Sequence, residues 1–117
     1  MPILAQLVDD VVVNKIDLNK PTMIVGRHPD SDIQIDDSAI SSRHAQLNVA
    51  PSEYIENAIE VSVEDLGSTN GTFVNEQAIS QRQLLVTNDI VRVGWNKFKF
   101  IDEAQNDLEG TAHILQT

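Results

Sequence analysis

Apolar and polar residues alternate along much of this chain with a period of two. In "AQLNV", Ala45, Leu47 and Val49 fall on one side and Gln46 and Asn48 on the other; in "IEVSVED", Ile59, Val61 and Val63 oppose Glu60, Ser62 and Glu64. A strand sends successive side chains to opposite faces, so both stretches predict half-buried strands. Further strands are expected at residues 3–8, 11–18, 23–27, 33–35, 72–74, 90–93 and 97–101, between polar turn clusters such as "HPDSD", "TND" and "GWN". No helical period is sustained over about ten residues; a weak turn near residues 52–57 comes closest. Many short strands joined by polar turns predict an all-β sandwich or barrel. From Asp102 onward the pattern decays into "DEAQNDLEGTAHILQT". Residues 1–101 are therefore expected to form one domain, and 102–117 a flexible polar tail.

Composition adds bounds. The chain has 117 residues, 41% of them hydrophobic, which suits one domain with a core of its own. It has no cysteine, which removes disulfides and thiolate metal sites and is compatible with a reducing compartment. The start, "MPILAQLVDD", lacks a basic leader, and no apolar run approaches the roughly 18 residues of a membrane span. A cytoplasmic location without membrane contact is expected. Eight basic residues against eighteen acidic ones leave a charge of −10, which repels nucleic acid. On so acidic a chain the placement of the few basic residues becomes informative, because a small cationic pocket is compatible with screening at physiological salt.

Loops on such a scaffold carry function, and three concentrate suitable chemistry. In "IVGRHPDSD", Gly26 ends an apolar strand and Arg27 follows, with a planar fork suited to phosphate or carboxylate. In "AISSRHAQL", Ser41 and Ser42 precede Arg43 and His44: a hydroxyl donor, a cation, and a ring whose two nitrogens can tie loops together. In "DLGSTNGTFV", Gly67 and Gly71 can turn backbone N–H groups toward a ligand, with Ser68, Thr69 and Asn70 beside them. Taken singly, each loop also fits a blander reading: a solvated arginine at a strand end, a capped polar loop, or a decorated hairpin.

Catalysis is poorly served by these residues. No serine sits in a G-x-S-x-G elbow, and Ser41, His44 and Asp65 are not spaced as a nucleophile with its base. The glycines match neither the phosphate-binding G-x-x-x-x-G-K-[ST] nor a G-x-G-x-x-G opening a helix. His28, His44 and His113 have no metal-ligand spacing. The set favours holding an anion over transforming one, without enzyme activity, metal or cofactor.

In order along the chain, Gly26-Arg27, Ser41-x-x-His44, "DLGSTNGTFVN" and "NDIVRVG" resemble the forkhead-associated (FHA) family over about residues 3–101. The resemblance implies a β-sandwich of eleven short, mainly antiparallel strands that recognises phosphothreonine peptides made by a Ser/Thr kinase. By it, Arg27, Ser41, Arg43 and Thr69 are phosphate contacts, and Asn70 and Ser42 contact the peptide backbone. Gly26, His44, Gly67 and Gly71 shape the loops. A phosphothreonine carries about −1.5 to −2 charges and three acceptor oxygens, which the two arginines and two hydroxyls complement.

Three features fall outside that pattern. Asn75-Glu76 stands where the family commonly has Asn-Gly, which suggests a different turn type, and Asn88-Asp89 replaces Gly-Asp. Asn88 is expected at positive φ, which asparagine tolerates. In the tail, Thr111 is followed three residues later by Ile114, the offset FHA domains read, so a phosphorylated Thr111 could serve as a self-ligand. A contrasting role is phospho-independent assembly through a sheet face of the same sandwich. Sequence is silent on oligomeric state.

Overall fold

The computed structural model describes residues 2–102. The chain forms β1 (Ile3–Val8), β2 (Val11–Asp17), β3 (Thr22–Gly26), β4 (Ile33–Gln34), β5 (Ala45–Pro51), β6 (Ile59–Asp65), β7 (Thr72–Val74), β8 (Gln77–Ala78), β9 (Gln83–Leu84), β10 (Ile90–Val93) and β11 (Asn96–Ile101). They build a six-stranded sheet in the order β2-β1-β11-β10-β7-β8 and a five-stranded one in the order β4-β3-β5-β6-β9. All pairings are antiparallel except β3 with β4. The strands expected from alternation are present with ends shifted by a residue or two. The very short β8 and β9 were not anticipated, since two-residue strands have no period to read.

Alternation becomes burial where the sheets face each other. Leu47, Val61 and Val63 from one sheet meet Leu4, Val91, Val93, Phe98 and Phe100 from the other in one core cluster. Phe100 is fully buried, and removing such a side chain from water stabilises the fold by about 2 to 3 kcal/mol. Two positions depart from the simple pattern. Ile59 is exposed, because it pairs with Pro51 at the far end of the β5–β6 hairpin. Ser62 is buried, although the alternation places it on the polar face; β9 pairs alongside it through Leu84.

The turn at residues 52–57 is a loop, not a helix: the Ser52 hydroxyl oxygen accepts from the Tyr54 and Ile55 amides at 3.1 and 3.0 Å. Asn88 has φ 82°. The expectation for Asn75-Glu76 was wrong. Both residues have positive φ, 51° and 67°, in a two-residue link between β7 and β8, the type I′ geometry that Asn-Gly adopts. Three neighbours hold it there. Arg92 Nε donates to both Glu76 carboxylate oxygens at 3.0 and 3.3 Å, and the Asn75 side chain bonds Asp89 and the Ile90 amide, each at 3.0 Å. The described domain runs through Asp102, which is buried, with its N–H and C=O both bonded to the Thr87 hydroxyl. Thr111 and the rest of the proposed tail lie outside the described residues.

Strand register decides where the loops gather. Val25 and Asp65 both pair with Ala45, so the connections β3–β4, β4–β5 and β6–β7 leave the five-stranded sheet at one end. In the other sheet Val93 pairs with Thr72 and Asn96, and Lys97 with Leu7. The β10–β11 turn and the tip of the β1–β2 hairpin therefore project from that same end.

Candidate functional site

Three backbone hydrogen bonds clamp the first two loops together. The amides of Arg27 and His28 donate to the carbonyls of Ser41 and Ser42 at 3.0 and 3.2 Å, and the His44 amide donates to Val25 at 2.9 Å. So close an approach requires glycine at position 26. A Cβ there would lie 2.1 Å from the Ser42 carbonyl oxygen, well inside contact distance. Arg27 thus leaves β3 directly beside Ser41.

His44 joins the second loop to the third. It is fully buried; its Nδ1 accepts from the Ser41 amide at 3.1 Å, which places the proton on Nε2, and Nε2 donates to the Gly71 carbonyl at 2.8 Å. Two further bonds run between these loops. The Thr69 amide donates to Ser41 Oγ at 3.1 Å, and Asn70 Nδ2 donates to the Ala39 carbonyl at 2.8 Å.

Asp65 organises the third loop from within. One carboxylate oxygen accepts from the amides of Gly67 and Ser68, both at 3.0 Å. The other accepts a short bond from the Ser68 hydroxyl and one of 2.8 Å from Thr72 Oγ1. Ser68 Oγ in turn accepts from the Gly71 amide at 2.9 Å. Burial raises the Asp65 pKa, but the hydrogen bonds from Ser68 and Thr72 outweigh it and hold the carboxyl below its ordinary value. Gly67 and Gly71 take φ of 74° and 85°, left-handed conformations open to glycine at no steric cost.

The structure therefore brings Arg27, Ser41, Thr69 and Asn70 to one rim. Arg27, Thr69 and Asn70 are exposed there, and Ser41 is partly buried. Arg43 stands to the side, lining a cleft with Ile24, His28, Asp30, Ser31 and Ser42. Neither guanidinium has a hydrogen bond or ion pair among the described residues, whereas Arg92 and Lys20 are tied to Glu76 and Asp32. Ser68 differs from its sequence reading. Its hydroxyl donates to Asp65, so it belongs to the scaffold of the loop rather than to its ligand-facing side. The part that Asp65 and Thr72 play in the loop was missed in the sequence, where Asp65 was weighed only as a catalytic partner; the signal was Asp65-x-x-Ser68, the spacing of a side chain that caps the backbone two and three residues on.

The described residues include no group of three or more His, Cys, Asp or Glu placed to hold a metal ion, and no helix long and apolar enough to cross a membrane. Fixed donors around an exposed cation can bind an anion.

A family model described as the FHA domain matches residues 23–94. The chain is similar to the glycogen accumulation regulator GarA of Mycolicibacterium smegmatis, 36% identical over 94 residues that make up 80% of this chain and 54% of that protein. It thus spans about half the length of the curated relatives it matches. Among solved structures, it is similar to the FHA domain of the CT664 protein from Chlamydia trachomatis, 32% identical with a TM-score of 0.71, covering 86% of this chain and 96% of that one. A second, from a study of phosphothreonine-dependent FHA domain interactions, is 25% identical with a TM-score of 0.68 over the same shares.

Proposed function

The chain belongs to the FHA domain family, and from that premise we propose that it reads phosphothreonine in a partner protein, through the rim that joins its three loops. The observation that carries this reading is the Ser41–Thr69 junction. Because the Ser41 oxygen already accepts the Thr69 amide, its hydroxyl proton is left to point outward to an anion. Arg27, clamped next to Ser41 and unpaired among the described residues, supplies the bidentate charge that a phosphate needs.

Roles follow for the remaining residues. Thr69 offers a second hydroxyl and Arg43 adds charge from the flank. Asn70, with one amide proton committed to Ala39, keeps its other proton and its oxygen for the peptide backbone, assisted by Ser42. Binding makes and breaks no covalent bond and needs no cofactor or metal. The phosphothreonine would be supplied by a Ser/Thr kinase, and the chain's charge of −10 disfavours nucleic acid. A cytoplasmic site of action is part of the proposal. The expected affinity is micromolar, about −8 kcal/mol, and weakens with salt.

Calorimetric titration with a phosphothreonine peptide library, against phosphoserine and unphosphorylated controls, tests the reading. Phosphothreonine peptides should bind selectively and Arg27→Ala should abolish their binding; equal binding of unphosphorylated controls would sink it. A phospho-independent assembly role through a sheet face draws on Val11, Val12 and Val13, all exposed on the edge strand β2. It requires that partner binding survive Arg27→Ala.

A further inference from the structure

Trp95, in the β10–β11 turn, is 84% exposed and lines two clefts at once. One holds Ala39, Asn70, Gly94 and Arg92, whose guanidinium is already bound to Glu76 and the Gly94 carbonyl, and so continues directly from the proposed peptide contact. The other, of about 390 Å³, runs on to the β1–β2 hairpin and is lined by Leu7, Val8, Asp9, Asp10, Asn96 and Lys97. An indole left in water beside a binding rim is the kind of group that becomes an anchor when a partner covers it.

We propose that the second cleft takes a basic side chain, arginine or lysine, from the same phosphopeptide, laid across the face of Trp95 with its cation toward Asp9 and Asp10. This rests on the phosphothreonine reading and adds a specificity to it. The choice between a basic and an apolar occupant follows from the lining. Asp9 and Asp10 make no hydrogen bond or ion pair with the described residues, and an apolar side chain seated against them would strip their water without replacement. A guanidinium or ammonium keeps them paired while its carbon stem and charge lie on the indole. Lys97 offsets one of the two carboxylates and leaves the cleft with a net negative charge. Both aspartates belong to the tip of the hairpin, with φ of 52° and 65° in a two-residue turn between β1 and β2. The basic residue belongs on whichever flank of the phosphothreonine crosses Asn70.

The test walks a single arginine through each flanking position of a synthetic phosphothreonine peptide on an alanine background, with leucine as comparison. Calorimetry supplies the affinity in the parent and in every variant, and the only tryptophan of the chain adds an emission signal where it is retained. At one position arginine should tighten binding about fivefold to tenfold and shift the Trp95 emission. That gain, taken relative to the same variant's affinity for the all-alanine phosphopeptide, should vanish in Trp95→Ala and in Asp9→Asn with Asp10→Asn. Both changes suit the fold: Trp95 is exposed, and asparagine tolerates the positive φ at the hairpin tip. A larger gain from leucine, a gain that survives the variants, or an equal gain at every position, which the general pull of an acidic chain would produce, overturns the inference. Each of those outcomes leaves phosphothreonine binding standing; if no phosphopeptide binds at all, the underlying reading fails and this one with it.

Discussion

The Thr69 amide donates to the Ser41 hydroxyl oxygen across 28 residues of sequence, at 3.1 Å. One oxygen atom thus fixes the relative position of two loops while its proton remains for a ligand. Ser41→Ala removes both functions, and the expected loss in phosphothreonine-peptide affinity is at least tenfold. Because Ser41 is only partly buried, stability should fall by no more than about 1 kcal/mol. Calorimetry and thermal denaturation of the same variant check the two figures, and unchanged affinity would remove Ser41 from the site.

Gly26 faces the Ser42 carbonyl so closely that one added carbon must push the loops apart. Gly26→Ala places its Cβ 2.1 Å from that oxygen and 3.0 Å from Ser31 Oγ, and the first neighbour is backbone, which yields at a cost. A loss of about 2 to 3 kcal/mol in urea denaturation is expected, together with weaker phosphopeptide binding, as the Arg27–Ser41 bond is displaced. A variant as stable as the parent would mean that the loops have room the clamp does not indicate.

Much of this was legible in sequence because period-two alternation belongs to any half-buried strand: Leu47, Val61 and Val63 were assigned to the core by it and lie there. The β8 and β9 strands were not legible, since Gln77–Ala78 and Gln83–Leu84 are fixed by their partners rather than by a pattern of their own. Glu76 was misjudged for a related reason. Its left-handed backbone is held by Arg92, sixteen residues away, and local propensity carries no record of a distant ion pair. In the site, Arg27, Ser41, Thr69 and Asn70 could be proposed from residue type and order. Asp65 could not be separated from an ordinary strand-end carboxylate until its four hydrogen bonds were seen.

Asp65 makes the third loop sensitive to acid. Its folded pKa is depressed below 3.8, despite burial, by the bonds from Ser68 and Thr72. The stabilisation is therefore fully present above the ordinary carboxylate value and is lost as pH falls through the folded one. Asp32, held low by Lys20, behaves alike, so the two must be separated. Melting temperatures of the parent and Asp65→Asn should differ most near neutrality and converge between about pH 4 and pH 2. Parallel curves over that range would show that the carboxylate bonds contribute nothing to stability.

Position 76 sets backbone strain against an ion pair. A non-glycine residue at φ 67° costs about 1 kcal/mol, while the Arg92 pair, with the Glu76 side chain 58% exposed, returns less than that. Glu76→Ala keeps the strain and loses the pair; Glu76→Gly loses both. The glycine variant should accordingly be more stable than the alanine variant by about 1 kcal/mol and close to the parent. Equal stabilities of the two variants would mean that the left-handed turn is not retained.

Ser68 and Thr69 are neighbours with equivalent hydroxyls, yet the structure gives them opposite consequences. Ser68 Oγ is enclosed in the loop between the Asp65 carboxylate and the Gly71 amide, so Ser68→Ala leaves an amide and a carboxylate oxygen short of partners. It should lower stability by about 1 to 2 kcal/mol and weaken binding only through the loosened loop. Thr69 is exposed and ties the loops through its backbone amide, which any residue retains. Thr69→Ala should therefore leave the melting temperature unchanged and reduce phosphopeptide affinity severalfold, by the loss of one hydroxyl contact to phosphate. If Thr69→Ala destabilises the fold and Ser68→Ala alone impairs binding, the two hydroxyls have been assigned the wrong way round.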